Sequence, residues 1–369
     1  MTTGHAQDAE QPETGITPGD KGAFRDVLSK DHARRGKPPV HLVDMTPDER
    51  IARAKDLGLP KFRVKQLANH YFGRLETESE AFTDLPAATR GDIVEAFFPP
   101  LIDEVTHQVA DQGTTIKTLW RLFDGSHIES VLMRYPNRTT LCISSQVGCG
   151  MGCPFCATGK LGLTRNMSTG EILEQVRVAA RMMRDGEVAG GPGRLSNIVF
   201  MGMGEPLDNT DEVLRVLEII TAEWGFGWSP TRITLSTAGV VPELRRFLDA
   251  TKVHLAVSLH NPFHEERMEI MPVERAWPIA EVAAILREYD FTHQRRVSFE
   301  YIVMSGLNDS PRHIRELTRL LNGIKCRINL IRFHRIPDSP YFSPGDEAMV
   351  RFRDALTARG IQTTIRASR

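Results

Sequence analysis

The sequence predicts an α/β fold: a partial (β/α) barrel, preceded by a small N-terminal helical domain and a β-hairpin extension. Three observations carry this. From residue 139 onward, short apolar runs alternate with single amphipathic helical stretches, the pattern of parallel strands joined by right-handed crossovers. Residues 41–98 show helical periodicity and helix caps only. Residues 101–137 hold short alternating segments separated by turn residues.

Residues 1–40 are poor in apolar side chains and end in Gly36-Lys37-Pro38-Pro39, so they bury too little surface to order themselves and read as a tail. The helical domain spans 41–100. There Thr46-Pro47-Asp48-Glu49 is a capping box with proline at the first helical position, a second helix follows Leu59-Pro60 over 61–75, and a third runs over 86–98. In the extension, 101–137, strands are expected at 114–123 and 128–135, around Asp124-Gly125. The barrel, 138–369, should place strands at 139–145, 197–201, 232–236, 253–258, 297–303, 327–331 and 361–365. Helices fall between them at about 170–184, 211–223, 242–250, 279–289, 311–322 and 346–359. Residues that do chemistry should lie at the C-terminal strand ends.

Composition narrows the function classes. The 46 Lys and Arg nearly balance 47 Asp and Glu, giving a formal net charge of −1, so nucleic acid cannot be bound by bulk charge and would need a local basic patch. No apolar run approaches the length of a membrane span, and the first residues lack the basic and apolar regions of a secretory signal, so a cytoplasmic protein without membrane contact is expected. No long exposed apolar pattern calls for an oligomer, and a monomer is expected. Five Cys cannot staple a chain of 369 residues, and four of them fall between 142 and 156, which points to reduced thiols used for metal or chemistry.

That cluster is the most informative segment. Cys149-Gly-Met-Gly-Cys153-Pro-Phe-Cys156 follows the first barrel strand. Three thiolates in a Gly-rich loop wrap one corner of a metal centre, and soft sulfur donors select zinc or iron–sulfur. A structural zinc site needs four protein ligands, and no second Cys pair or Cys/His pair completes one. An iron–sulfur cubane held by three Cys leaves one iron open for a substrate or cofactor. Inert buried thiols are the remaining alternative.

Other candidates are weaker alone. Gly202-Met-Gly204-Glu205-Pro206 closes an apolar strand, where glycine admits a ligand to the backbone and Glu205 can accept from a cation; an ordinary strand-to-helix turn reads the same way. Ser236, and Ser258-Leu259-His260, close the next two strands as ligand contacts or as simple caps. Strand alternation groups Cys142 with Thr140 and Ser144, away from Leu141 and Ile143, so it is grouped with polar residues. Lys61, Arg63 and Lys65 interleave with Tyr71 and Phe72 on one helix, a face that could hold phosphates and stack bases, or an amphipathic helix whose aromatic residues are core. Arg295, Arg296, Arg351, Arg353 and Arg366 could extend the basic surface.

The cysteine spacing with Phe155 before the last Cys resembles the radical S-adenosylmethionine (SAM) superfamily. Cys142-Ile-Ser-Ser-Gln-Val-Gly-Cys149 together with Phe200-Met-Gly-Met-Gly-Glu205-Pro206 resembles its dual-specificity RNA adenine-C2 methyltransferases, over about 45–369. The resemblance implies a partial (β/α) barrel with an N-terminal RNA-binding domain, acting on carbon 2 of adenosine in 23S ribosomal RNA of the large subunit and in tRNA. It implies that Cys149, Cys153 and Cys156 hold a [4Fe-4S] cluster whose open iron chelates SAM, with an electron donor such as flavodoxin or ferredoxin. Gly204, Glu205, Ser236, Ser258, Leu259 and His260 become cofactor-binding positions. His334 stands where the family usually has Asn. Cys142 becomes the thiol that resolves a protein–RNA adduct by disulfide formation, and Glu129 a base.

One expected residue is absent. The resemblance implies a methyl-carrying Cys in a Cys-Gly motif beyond the last strand, and these residues stop at Thr364-Ile365-Arg366-Ala367-Ser368-Arg369. Cys326, in an apolar strand, reads as packing. A truncated methyltransferase and a relative that has lost methyl transfer both fit, as would a radical enzyme using 5′-deoxyadenosine chemistry for another purpose or a non-catalytic RNA-binding relative.

Overall fold

The computed structural model describes residues 36–292 and 294–366. The tail reading of 1–40 therefore lies mostly outside the described residues, as do Ala367, Ser368 and Arg369.

Three helices open the described chain: α1 (Pro47–Asp56), α2 (Phe62–Phe72) and α3 (Arg90–Phe97). Thr46 caps α1, accepting from the Glu49 amide while Glu49 returns to the Thr46 amide, worth about 1 kcal/mol. Strands β1 (Ile102–Ala110), β2 (Thr115–Leu122) and β3 (His127–Tyr135) then run antiparallel into β4 (Arg138–Ile143). The extension thus has three strands, where two were expected, and β3 pairs directly with β4. Beyond β4 the pairing is parallel through β7 (Asn197–Phe200), β8 (Ile233–Thr237), β9 (His254–Ser258), β10 (Val297–Val303), β11 (Cys326–Arg332) and β12 (Gln362–Ile365). One ten-stranded sheet results, antiparallel at one end and a partial parallel barrel at the other.

Six of the crossovers carry helices of ten residues or more: α5 (Thr169–Asp185), α6 (Thr210–Thr221), α7 (Val241–Ala250), α9 (Ile279–Glu288), α10 (Pro311–Leu320) and α11 (Asp346–Thr357). Two shorter helices complete the described set, α4 (Ala157–Leu161) and α8 (His264–Ile270), and a small hairpin, β5 (Gln146–Gly148) with β6 (Leu163–Asn166), flanks α4. No described helix is long and apolar enough to cross a membrane.

The strand register sorts the sheet into two unlike faces. On the outer face Ile143, Phe200, Leu235 and Leu255 form one row, and Val257, Phe299 and Ile328 another, all buried in the main core. The inner face is polar: Cys142, Val199, Thr234 and His254 lie in register, as do Ser258, Glu300, Asn329 and Thr364. Asn329 donates to Glu300 at 2.7 Å and accepts from Thr364 at 2.8 Å. A barrel interior lined by hydrogen-bonded polar groups is a ligand chamber, since a packed interior would be aliphatic.

The N-terminal helices share the barrel's core: Leu42, Tyr71 and Phe97 belong to the same buried cluster as the strands. Asp44 accepts from the Gly170 amide at the start of α5 at 2.8 Å, and Arg215 on α6 donates to the carbonyls of Val43 and Met45. Tyr71 and Phe72 are buried, which decides for the core reading of these two rings over base stacking. The solvated aromatic ring of that helix is Phe62, beside exposed Lys61 and Lys65.

Candidate cofactor and active site

The parallel strands all end on one edge, and the candidate residues gather there. Cys149, Cys153 and Cys156 lie between β5 and α4. The Cys149 amide donates to Gly162 O at 2.8 Å and the Lys160 amide to Cys156 O at 3.2 Å, so the hairpin and the short helix close the loop from both sides. Gly148 has φ +78°, and a Cβ there would meet Gly162 O at 1.9 Å, so only glycine permits this closure.

Gln146, which sequence reasoning did not single out, ties this loop to the next one. Its amide donates to Asn166 and Asp208 at 2.8 and 2.9 Å, while its Oε1 accepts from the Glu205 amide at 2.8 Å. Gly204 passes so close that a Cβ would lie 2.6 Å from Gln146 Cβ, with φ at +102°. Glu205 is buried, and its carboxylate accepts from the Leu207 amide at 3.0 Å and the Ala238 amide at 2.7 Å. Burial pushes its pKa up to about 7 against those hydrogen bonds and that of Thr237. Its observed work is to join the β7 and β8 loops.

Ser236 and Ser258 are half-buried on the inner face, and Leu259 is fully buried. His260 has a left-handed backbone, φ +56°, rare for a non-glycine residue and held here by its neighbours. Its Nδ1 accepts from the Ile302 amide at 3.1 Å and its carbonyl accepts from Asn308 at 2.6 Å. Burial, then the nearby Arg267 charge, lowers its pKa to about 3, so the ring is neutral. It meets Phe155 of the cysteine loop edge-to-face at 5.1 Å. His334 is exposed in the loop after β11.

Arg267 on α8 is the second residue that sequence reasoning missed. It is completely buried, donating to Leu259 O, Ser258 O and Ala238 O at 2.9 Å each and pairing with buried Glu274. Glu274 also accepts from His264 and from the Ile279 amide. The pair therefore clamps the ends of β8 and β9 to the start of α9. Seven residues separate Arg267 from Glu274 across Ile270-Met271-Pro272, a charged pair flanking an apolar turn, and that was the available signal.

Farther down the inner face, Cys142 pairs in register with Val131, and Glu129 lies two residues along β3 on the same face. Burial pushes the Cys142 thiol up to about 12, and the Glu129 charge adds to the shift. Glu129 pairs with Lys117 at 2.7 Å. The sheet thus brings Glu129 and Cys142 together on the chamber wall.

The cysteine loop fits an iron–sulfur cubane. Three soft thiolates in one loop are the donor set of a cubane that keeps one iron open, and they fall one short of the four ligands of a structural zinc site. Cys153 packs with Ile270, Met271 and Val273, with Cys156 and Phe155 alongside, which gives the thiols an apolar wall. Burial holds Cys149 up to about 11 and Cys153 up to about 12, so both remain thiols at neutral pH until a metal displaces the proton.

A three-cysteine loop at the strand ends of a partial parallel barrel, over a polar chamber, defines a radical SAM protein, and residues 143–318 match the radical SAM superfamily. A protein from Bifidobacterium longum named a probable dual-specificity RNA methyltransferase RlmN is 58% identical, covering 100% of this chain and 96% of its own. The protein of that name from Thermobifida fusca is 49% identical over 91% and 93%. The crystal structure of a radical SAM methyltransferase from Sphaerobacter thermophilus superposes with a TM-score of 0.84 at 42% identity, covering 90% of this chain and 96% of that one. The chain belongs to the RlmN family of dual-specificity RNA methyltransferases. Its cofactors are those of the superfamily, a [4Fe-4S] cluster and SAM.

Proposed function

We propose that the protein methylates carbon 2 of adenosine in 23S ribosomal RNA and in tRNA, through a cysteine methyl carrier. One observation carries the reading beyond the superfamily: a fourth cysteine, Cys142, shares a chamber wall with Glu129, below the cysteine loop. The bound cofactors supply the methyl group and the one-electron chemistry that activates it.

The chain's own residues supply the rest. Cys149, Cys153 and Cys156 hold the cluster. Gly204 lets backbone approach SAM, while Ser236, Ser258, Leu259 and His260 line the site; His260 enters it neutral, with Nδ1 occupied and Nε2 left to face the ligand. His334 is the remaining SAM contact in this reading, reached from the loop after β11. Glu205 acts first by fixing the loops, with lone pairs to spare for a cationic amino group. Glu129 takes a proton from the adenine carbon, and its pairing with Lys117 at 2.7 Å holds the carboxylate in place. Cys142 resolves the adduct. As a half-buried thiol with a raised pKa it is unreactive until it loses a proton, which delays attack until a base stands beside it. Cys326 is not a methyl carrier in this reading, because it opens β11 at the opposite edge. A helical RNA-binding domain at 41–100, an external electron donor and a cytoplasmic monomer complete the proposal.

The test is nucleoside mass spectrometry on 23S ribosomal RNA and tRNA after anaerobic incubation with reconstituted protein, extended through a Cys-Gly motif. 2-Methyladenosine in both RNAs is the expected result. Methylation only at another atom, or SAM cleavage without methylation, would overturn the assignment.

A further inference from the structure

The opposite edge of the barrel holds a second site. Gln294, Arg295, Arg296, Lys325 and Arg327, leading into and beginning β10 and β11, line a cavity of about 360 Å³. Four cations and no carboxylate line it. None of the four forms an ion pair among the described residues: Arg327 donates to Ser298 Oγ at 2.8 Å and Arg296 to Gln362 Oε1. Arg366 adds a fifth positive charge nearby, and its one carboxylate contact is Glu300 at 3.7 Å. Burial and the repulsion of Arg366, then of Arg295 and Arg296, depress the Arg327 pKa against the attraction of Glu300, the nearby carboxylate outside the cavity lining. Like charges gathered around one small cavity oppose folding unless an anion answers them.

An orphaned polar atom points the same way. Gln294 Nε2 lines the cavity buried and without a partner, a donor awaiting an acceptor. Guanidinium forks and an amide donor, with no acceptor set among them, suit a tetrahedral oxyanion with several acceptor oxygens. The chain's net charge of −1 means that any grip on a polyanion must come from such a local cluster.

We propose that this cavity binds a backbone phosphate of the RNA substrate, about 20 Å from the cofactor edge, a seven-residue strand away. The inference rests on the RNA-modifying reading. A second grip at that distance would hold the nucleic acid along the chamber while the target adenosine reaches the far end.

The test is the salt dependence of binding of a fluorescent RNA hairpin to the reconstituted protein, by anisotropy over about 50 to 200 mM salt. The comparison is wild type, the triple variant Arg295→Ala/Arg296→Ala/Lys325→Ala, and the charge-keeping triple Arg295→Lys/Arg296→Lys/Lys325→Arg. All three side chains are exposed, so folding is retained, checked by the cluster's absorbance and the thermal midpoint. The alanine triple should bind about tenfold or more weakly, with the slope of log K against log salt reduced by about 2. The charge-keeping triple should keep the wild-type slope. Equal affinity and slope in the alanine triple would overturn the site while leaving the RNA reading intact. Protection of wild type by inorganic phosphate with no change in RNA slope would make it a small-anion site and overturn the proposal. A wild type that binds no RNA overturns both.

Discussion

The two ends of the barrel strands treat charge in opposite ways. At the C-terminal edge each buried charge is answered inside the protein: Arg267 by Glu274 and three carbonyls, Glu205 by two amides, while His260 is kept neutral. At the other edge Arg295, Arg296, Lys325 and Arg327 stand together without a carboxylate. An edge that places a small cofactor needs fixed loops, and fixed loops need satisfied partners. An edge that holds a polyanion keeps its charges unsatisfied, because the ligand completes them.

The sharpest break of this contrast is at the cysteine loop. Cys149→Ala should abolish cluster absorbance and reduce 5′-deoxyadenosine formation to background, by absorption spectroscopy and product chromatography, with the fold retained. Next in size, Arg267→Ala strands buried Glu274 and should lower stability by about 3–5 kcal/mol in chemical denaturation, and Arg267→Met/Glu274→Leu should recover most of it. Arg319→Ala, which opens the exposed pair with Glu316, should leave the denaturation midpoint within scatter.

Acid should separate the ends further. His260 has a folded pKa of about 3 against an ordinary 6.5, so its stabilising contribution is complete above pH 6.5 and is lost as pH falls toward 3, when the unfolded chain alone takes the proton. Wild type should thus lose on the order of 3 kcal/mol more than His260→Asn between pH 6.5 and 4, measured by denaturation at each pH. Glu205 has the opposite sign: raised from 4.5 to about 7, its contribution is complete below pH 4.5 and is lost as pH rises through 7. Glu205→Gln should flatten that decline. A small effect belongs to Cys326→Ala, which should leave SAM cleavage unchanged and cost under about 1 kcal/mol, since this thiol is only partly buried at a strand start.

The parallel strands were legible because each presents apolar residues on at least its outer face, and so was the cysteine loop, because spacing alone limits which metal centre three thiols can hold. β1 was missed for a physical reason: Ile102–Ala110 is an edge strand, half-exposed and interrupted by a register shift between Glu104 and Thr106, so it carries little apolar alternation. Tyr71 and Phe72 were read as either stacking or core residues, since an amphipathic helix does not announce what covers it; the β8 approach, through Phe226, covers both. Arg267 was missed for the opposite reason, with only its spacing from Glu274 to mark it. His264-Glu-Glu-Arg267-Met-Glu-Ile270 reads as a solvated helix, and only tertiary packing makes one of its charges the largest fully buried side chain among the described residues.

The Arg267 clamp also places the enclosure of the cluster late in the chain. The cluster ligands lie roughly a hundred residues before Arg267 and Glu274, and Ile270, Met271 and Val273, which wall Cys153, fall between that pair. A ribosome making the chain from its N-terminus therefore exposes three soft thiols well before the residues that enclose them have been made.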